Sequence, residues 1–184
     1  MLPKFKRRNL PLLMLQARER VLGHFRPLLN ANGVTEQQWR IVRVLFESEP
    51  LEPRQIGDLC RLSSPSLAGV LARMEEIDLV SRKRLKHDQR RVEVSLSPRG
   101  RALAARMAPE IEAIYTRLER LFGETFCQQL YGALDEMIVK LGAAGDGRGD
   151  PTIFRSLKRL QCHGTEGQPD DVRVRQRNHR HRSA

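Results

Sequence analysis

The clearest chemical signature in this sequence is a group of cationic side chains between positions 81 and 101. Residues 86–91, with the sequence KHDQRR, carry too much charge to pack in a protein core. Guanidinium and ammonium groups at this density bind phosphate oxygens, so the segment indicates a polyanionic partner. The side chains that we assign to phosphate contacts are Arg82, Lys83, Arg84 and Lys86, and Arg91 belongs to the same candidate DNA-binding group.

The residues on either side of this basic segment predict the secondary structure that exposes it. Alternating apolar and polar residues on both sides of the tip predict a β-hairpin over about 79–97. A short helix over about 53–59, a turn and a second helix over 64–77 come before it. A helix followed by a basic hairpin is the layout of a winged helix-turn-helix. In that layout a helix fills a major groove of duplex DNA while the hairpin, or wing, reaches an adjacent minor groove.

Arg90 is the candidate for insertion into a minor groove, where narrow A·T-rich segments concentrate negative potential. An unpaired Asp88 would repel DNA, so we expect Asp88 to orient Arg90 through a charge-assisted hydrogen bond. The alternative is that the segment is only a solvated hairpin tip.

Small residues begin the second helix of the pair, which allows its backbone to approach base edges closely. Ser64 suits the N-cap and Pro65 the first helical position. Serine both donates and accepts hydrogen bonds, so it discriminates bases only loosely. Arg73 either contacts phosphate or pairs with a neighbouring glutamate. The candidate DNA contacts in this part of the chain are Ser63, Ser64, Pro65, Ser66 and Arg73.

The rest of the chain predicts a mainly α-helical domain over 9–144, with helices over about 10–29 and 35–47 before the pair and two long apolar stripes after the hairpin. Pro27 should kink or end the first helix, and Thr35 with Gln38 forms a capping box for the second. Residues 1–8 are predicted to be a flexible basic arm. Residues 145–184 are predicted to be a mostly disordered basic tail, either an adventitious extension or a source of non-specific DNA affinity.

Composition bounds the class of protein. The net charge of +11 and the pI of about 10.5 suit a nucleic acid or an anionic membrane surface. No apolar run approaches the roughly 18 residues of a spanning helix, and no secretory leader follows the basic N-terminus, so we expect a cytoplasmic protein with no membrane partner. The 3 cysteines show neither a disulfide framework nor a metal spacing. We find no Gly-rich phosphate loop and no nucleophile with a nearby base, so the chain is predicted not to be an enzyme and to need no metal or other cofactor.

The hairpin and the helix before it together resemble a known family. Residues 88–100, Asp-Gln-Arg, five residues, then Leu-Ser-Pro-x-Gly, look like the wing signature D-x-R-x5-L-T-x-x-G of the MarR family of bacterial transcriptional regulators. Ser97 stands where threonine is usual. Residues 64–75 and Leu79-Val80 also match, and the resemblance covers about 10–143. It implies a dimeric MarR-like architecture in which the first and last helices interlock and two winged domains bind a palindromic operator.

Residues 15–19, 25–27 and 35–43 narrow this resemblance to the HpaR type, the subgroup that represses homoprotocatechuate (3,4-dihydroxyphenylacetate) degradation operons. Val34 stands where leucine is usual. The resemblance implies a transcriptional repressor of an operon for catabolism of an aromatic acid such as homoprotocatechuate or 4-hydroxyphenylacetate. An aromatic carboxylate would release it from DNA. The long apolar stripes at both ends agree with a homodimer, because a monomer would expose them.

In this family a small ligand, often an aromatic acid, usually binds between the dimer helices and the winged domain. Such a ligand needs a cation, a hydrogen-bond partner and a flat apolar wall. The candidate effector-binding residues are Arg18, His24, Trp39 and Arg40, and protocatechuate-responsive relatives resemble the arginine-plus-histidine pair. Alternatively, Arg18 pairs with Glu19 or Glu36, His24 is an ordinary surface residue, and Trp39 belongs to the core.

Two further hypotheses remain open. The first is a constitutive architectural DNA-binding protein without a small-molecule response, whose affinity would depend mainly on salt. The serines, and a single arginine for insertion from the wing instead of a uniformly basic surface, argue against it. The second is oxidation sensing, as in some relatives, for which Cys60 is the only candidate cysteine near the predicted DNA surface.

Overall fold

The computed structural model describes residues 7–85 and 88–144. Lys86, most of the predicted arm and the whole predicted tail lie outside the described residues. The described part is mainly helical with one two-stranded antiparallel sheet, which agrees with the predicted winged helix-turn-helix. In chain order the elements are α1 (Leu10–Ala31), α2 (Glu36–Ser48), α3 (Pro53–Cys60), α4 (Ser64–Glu76), β1 (Val80–Leu85), β2 (Asp88–Leu96), α5 (Pro98–Phe122) and α6 (Glu124–Ala144).

Local signals determine most of the helix boundaries. The predicted capping box of α2 is confirmed: Thr35 Oγ1 accepts the Gln38 amide at 3.2 Å, and Gln38 Oε1 accepts the Thr35 amide at 2.8 Å. Pro53 and Pro98 lie in the first turns of α3 and α5, where a missing amide hydrogen costs nothing. Gly123, at a φ of 86°, separates α5 from α6 as predicted.

Two details of the helix boundaries differ from the prediction. Pro27 was expected to kink or end α1, and it does not end the helix, which continues to Ala31. The Gly23 carbonyl that loses its partner lies on the exposed side, while the buried side chains of Phe25 and Leu29 hold both flanks of the proline against the core. Ser64 is the first residue of α4 instead of its N-cap. The extended residue before the helix is Ser63, with φ −67° and ψ 150°.

The core has two parts that meet at α2. The larger cluster packs α2, α3 and α4 against the wing and the start of α5, with Ile41, Leu45, Ile56 and Met74 fully buried. The smaller cluster joins α1 to the middle of α5 through Phe25, Ile111 and other apolar residues. Trp39 is half-buried and packs against both clusters. Helix α2 therefore contacts α1, α3, α4, α5 and β2.

The wing is joined to the rest of the domain at its base. Leu51 forms an isolated antiparallel bridge with Val94 of β2 through two backbone hydrogen bonds of 3.1 and 2.8 Å. Directly after β2, the Ser97 hydroxyl donates to the Asp78 carbonyl at 2.6 Å and accepts the Gly100 amide at 3.0 Å. A Cβ on Gly100 would lie 2.1 Å from the Leu79 carbonyl oxygen, so only glycine fits there. The Ser-Pro-x-Gly part of the motif thus joins the wing to α5.

Helix α6 differs from the others because it has almost no core of its own. Over residues 124–142 only Cys127 is buried, although the helix is largely apolar. The large apolar side chains exposed on α1 are Leu10, Leu12, Met14 and Leu15, and those exposed around the α5–α6 junction and on α6 are Leu121, Phe122, Phe126, Leu130, Tyr131, Ile138, Val139 and Leu141. In the described part of the chain, no helix is both long enough and apolar enough to cross a membrane.

Candidate nucleic-acid interface and ligand crevice

The start of α4 presents four exposed small residues to solvent. Ser63 Oγ donates to Ser66 Oγ at 3.0 Å across the first turn, and Ser64 and Pro65 occupy the first two helical positions between them. The opposite face of the helix is buried through Leu67, Val70, Leu71 and Met74. Packing therefore directs the serine face outward, where hydroxyl groups and the free amides of the helix start can reach a ligand.

Arg73 lies on the exposed side of the same helix, one turn beyond the serines. A Cβ on Gly69 would lie 3.7 Å from Arg73 Nη1, so the guanidinium folds back along the helix over this glycine. Glu75, one of the glutamates considered as its partner, instead pairs with Arg82 of the wing. Within the described residues Arg73 makes no ion pair, which leaves its charge available on the serine face.

The wing arginines fall into two groups. Arg82 Nε lies 2.9 Å from Glu75 Oε2 on α4, and Arg91 donates two hydrogen bonds to Glu52 Oε1 at the start of α3. The Glu52 hydrogen bond and charge raise the pKa of Arg91. Arg84 and Arg90 are exposed, and neither forms an ion pair with any residue that the structure describes.

Asp88 acts on Arg90 through the backbone. Asp88 Oδ1 accepts the Arg90 amide hydrogen at 3.0 Å. The expected bond to the guanidinium is replaced by a turn-like contact that fixes the chain direction at Arg90. The guanidinium itself remains free to extend from the tip.

Of the predicted effector residues, Arg18 and Arg40 are brought together by one carboxylate. Arg18 Nη1 lies 3.0 Å from Glu19, and its Nη2 bonds to Glu36 Oε1. Arg40 Nη2 lies 3.1 Å from the same Glu36 oxygen. Both pairings considered for Arg18 are therefore present. Glu36 lies in the first turn of α2, where the helix dipole favours a carboxylate.

His24 and Trp39 occupy different environments. His24 is exposed on α1 and makes no hydrogen bond or ion pair with the residues the structure describes. Trp39 is half-buried and packs against the smaller cluster, which Phe25 forms with α5 side chains. An open concavity of about 590 Å³ elsewhere on α1 is lined by Leu13, Gln16, Arg20 and their neighbours, and includes none of the four predicted residues.

The structure adds two residues that the sequence interpretation missed. Arg43 Nη1 donates to Tyr115 Oη at 3.1 Å, and the guanidinium carbon lies 5.8 Å from the centre of the tyrosine ring. Burial lowers the pKa of Arg43, but Tyr115 and Glu47 outweigh it, so the net shift is upward and the cation is retained. Phe25 lies 5.1 Å from the Tyr115 ring. Arg43 is four residues from Trp39, so helical spacing could have found it; nothing in the sequence pointed to Tyr115.

Together these residues lie along one face of α2 and form a candidate ligand site. Positions 36, 39, 40 and 43 follow helical spacing, and they contact α1 through Arg18 and α5 through Tyr115. We call this set, Arg18, Glu36, Trp39, Arg43 and Tyr115, the α2 crevice. It offers cations, a phenol hydroxyl and a flat aromatic wall, which are the groups an aromatic carboxylate requires.

Cys60 is poorly suited to oxidation chemistry. Its side chain is fully buried at the end of α3, and burial raises the pKa of the thiol to about 11, so the reactive thiolate is suppressed. Within residues 7–85 and 88–144 there is no cluster of three histidine, cysteine or acidic side chains that could hold a metal ion.

A helix pair with an exposed second helix, followed by a basic hairpin, defines a winged helix-turn-helix protein. The sequence profile of the MarR family matches residues 34–92. The chain is 40% identical over 130 residues to the homoprotocatechuate degradative operon repressor of Escherichia coli, spanning 71% of this chain and 88% of that protein. The chain belongs to the MarR family, and the predicted fold class and the resemblance to homoprotocatechuate regulators are confirmed.

Two other relatives extend the comparison. The HTH-type transcriptional regulator FarR of Neisseria gonorrhoeae is 37% identical over 110 residues, which span 60% of this chain and 75% of that protein. The crystal structure of NadR in complex with 4-hydroxyphenylacetate superposes with a TM-score of 0.64 at 34% identity. That superposition covers 74% of this chain and 97% of that chain.

Proposed function

We propose that this protein is a homodimeric transcriptional repressor of an aromatic-acid catabolic operon, and that an aromatic carboxylate releases it from a palindromic operator. The observation that carries the DNA-binding part is the free cationic surface of the wing beside the exposed start of α4. Arg73, Arg84 and Arg90 have no ion-pair partner in the described chain, so their charge is available to phosphates. Relatives named as repressors and transcriptional regulators support the same conclusion.

The exposed surface of α6 supports the homodimer. A helix this apolar is unstable in water unless something covers it, and monomeric proteins rarely expose contiguous apolar patches of this kind. The exposed apolar residues at the start of α1 would be covered in the same assembly. A two-fold dimer presents two copies of α4 and of the wing, which matches a palindromic operator with half-sites about one helical turn apart.

The α2 crevice supports the effector. Arg18 or Arg43 would bind the carboxylate, Tyr115 would bind a ring hydroxyl or the acid, and Trp39 would cover the ring. The structure of NadR with 4-hydroxyphenylacetate, a relative at 34% identity, makes this acid and homoprotocatechuate the first ligands to test. Release follows if the ligand fits only a spacing of the winged domains that mismatches successive major grooves. A protein with this role needs no catalytic group and acts in the cytoplasm, where the operator is.

The test is binding of the purified full-length protein to its own upstream promoter DNA and to scrambled DNA, followed by fluorescence anisotropy. We expect selective binding that 4-hydroxyphenylacetate or homoprotocatechuate weakens at least tenfold. Selective binding indifferent to both acids would remove the proposed effector class and leave the regulator. Equal affinity for both DNAs, with a steep dependence on salt, would favour the architectural protein instead.

A further inference from the structure

We infer that Arg40 is a positioning residue that couples the α2 crevice to the helix-turn-helix, instead of being a contact for the effector. The inference rests on the proposed function and specifies how its signal reaches the DNA-binding part. Arg40 lies on α2 with both terminal nitrogens already engaged: Nη1 donates to the Cys60 carbonyl at 2.7 Å, and Nη2 lies 3.1 Å from Glu36 Oε1.

The contact with Cys60 caps the end of α3. The last carbonyls of a helix have no partner within it. Here the amides of Arg61 and Leu62 both bond to the Gly57 carbonyl, and the chain turns sharply at Arg61 with a left-handed φ of 51°. The Cys60 carbonyl, next to this turn, is bound by Arg40 from outside. A cation at a helix C-terminus also favours the helix dipole. Arg40 therefore holds the turn that sets α4 relative to α3.

The contact with Glu36 connects this cap to the crevice. One oxygen, Glu36 Oε1, is shared by Arg40 and by Arg18 of α1. An effector carboxylate bound to Arg18 competes directly with Glu36 for the same guanidinium. Glu36 then loses one of its two arginine partners. The balance between the two bonds of Arg40, one to Glu36 and one to the Cys60 carbonyl, changes as a result. Three consecutive contacts thus lead from the proposed ligand cation to the turn before α4.

The decisive measurement compares operator dissociation constants without ligand and at saturating 4-hydroxyphenylacetate. Because the ligand is saturating, a changed ligand affinity does not enter this ratio, and calorimetry measures that affinity separately. The variants are Arg40→Met, which keeps the apolar stem, and Glu36→Gln. The matched control is Arg106→Met, which removes an exposed arginine whose partner, the Asn32 side chain, lies outside the chain of contacts.

We expect a wild-type ratio in the range of about 5 to 150 that is typical of coupled sites, and we expect Arg40→Met and Glu36→Gln to reduce it to below about threefold. The Arg106→Met ratio should equal that of the wild type. If Arg40 were an effector contact, Arg40→Met would weaken ligand binding but keep the wild-type ratio at saturation. That result would overturn the inference.

A second measurement needs no ligand. Amide hydrogen exchange in residues 57–63 of the intact protein should be at least fivefold faster in Arg40→Met than in the wild type, with no change in α1 or α5. Unchanged exchange would refute the capping role. A wild type that binds its operator but ignores both acids would refute the proposed effector and the coupling with it, while the exchange result would still decide whether Arg40 caps α3.

Discussion

Arginines in two regions of this domain differ in whether they already have a partner. On the proposed DNA-binding surface, Arg73, Arg84 and Arg90 are exposed, and none forms an ion pair within the part of the chain that the structure describes. In the α2 crevice, Arg18 and Arg43 are already bound to carboxylate or phenol oxygens. Under the proposed function, the surface that attracts phosphates retains free charge, whereas the effector site holds its cations in pairs that a small anion can replace.

The wing contains both paired and unpaired arginines. Arg91 is bound to Glu52 and Arg82 to Glu75, so each strand of the hairpin is tied to one helix of the helix-turn-helix. These pairs are exposed, and exposed pairs contribute only about 0–1 kcal/mol. They leave Arg84 and Arg90 as the wing arginines without an ion pair among the described residues.

The largest effect should come from removing a free wing cation. Arg90→Ala should weaken operator binding about 30-fold and lower the salt slope by about 1, because a phosphate or minor-groove contact is lost without freeing a partner. Anisotropy titrations at several salt concentrations would measure both. Sedimentation should show an intact dimer. Unchanged affinity would remove the wing from the interface.

The matched variant tests the difference between free and paired arginines. The double change Glu52→Gln with Arg91→Gln removes a pair that carries no net charge. We expect at most about a threefold loss of operator affinity, as for an exposed ion pair. A loss as large as that of Arg90→Ala would mean that Arg91 leaves Glu52 to bind DNA. The separation of the wing arginines into free and paired groups would then be wrong.

In the crevice, Arg18→Ala should abolish release by 4-hydroxyphenylacetate. Hydrogen bonds to a charged group contribute about 1.5–3 kcal/mol, so calorimetry should show ligand affinity falling by at least about tenfold. Arg20→Ala is the control on the same exposed helix. A normal ligand titration in Arg18→Ala would exclude Arg18 from the site.

A smaller effect is expected from deleting residues 145–184, which carry 9 basic and 5 acidic residues. Affinity for scrambled DNA should fall about threefold at low salt while the preference for the operator is kept, because the tail contributes only screened, non-specific attraction. Loss of folding or of the dimer would show that this segment is part of the domain.

The smallest effect should come from oxidants. With the pKa of Cys60 raised to about 11, almost no thiolate exists at neutral pH, and the thiol is fully buried. Organic hydroperoxide at concentrations stoichiometric with the protein should leave operator binding unchanged. Release that disappears in Cys60→Ser would reverse this conclusion.

Sequence patterns predicted the elements well because their signals are local. The capping box at Thr35, the proline in the first turn of α5 and the break at Gly123 act within a few residues of where they stand. Pro27 does not end its helix, because the effect of a proline depends on what the flanking residues pack against. Burial of Phe25 and Leu29 maintains the helix although one backbone hydrogen bond is missing.

The site was predictable only in part, for the same reason. The wing and the start of α4 are contiguous in sequence, so their residues could be named together. The partnership of Arg43 with Tyr115 joins positions 72 residues apart, and the shared use of Glu36 by Arg18 and Arg40 depends on how α1 lies across α2. Such contacts are set by tertiary packing, which periodicity does not encode.

The junction at Gly100 has a consequence for how such regulators diverge. Because Ser97 and Gly100 join the wing directly to the first turn of α5, the wing cannot be re-aimed without moving the helix that leads to the dimer surface. Under the proposed function, the gap between the two half-sites of an operator would then be set by α5 and α6, while the bases favoured within each half-site would depend on α4 and the hairpin tip. Half-site spacing and base preference can therefore change independently during evolution. Exchanging the dimer helices between two such proteins should transfer the half-site spacing and leave the base preference unchanged.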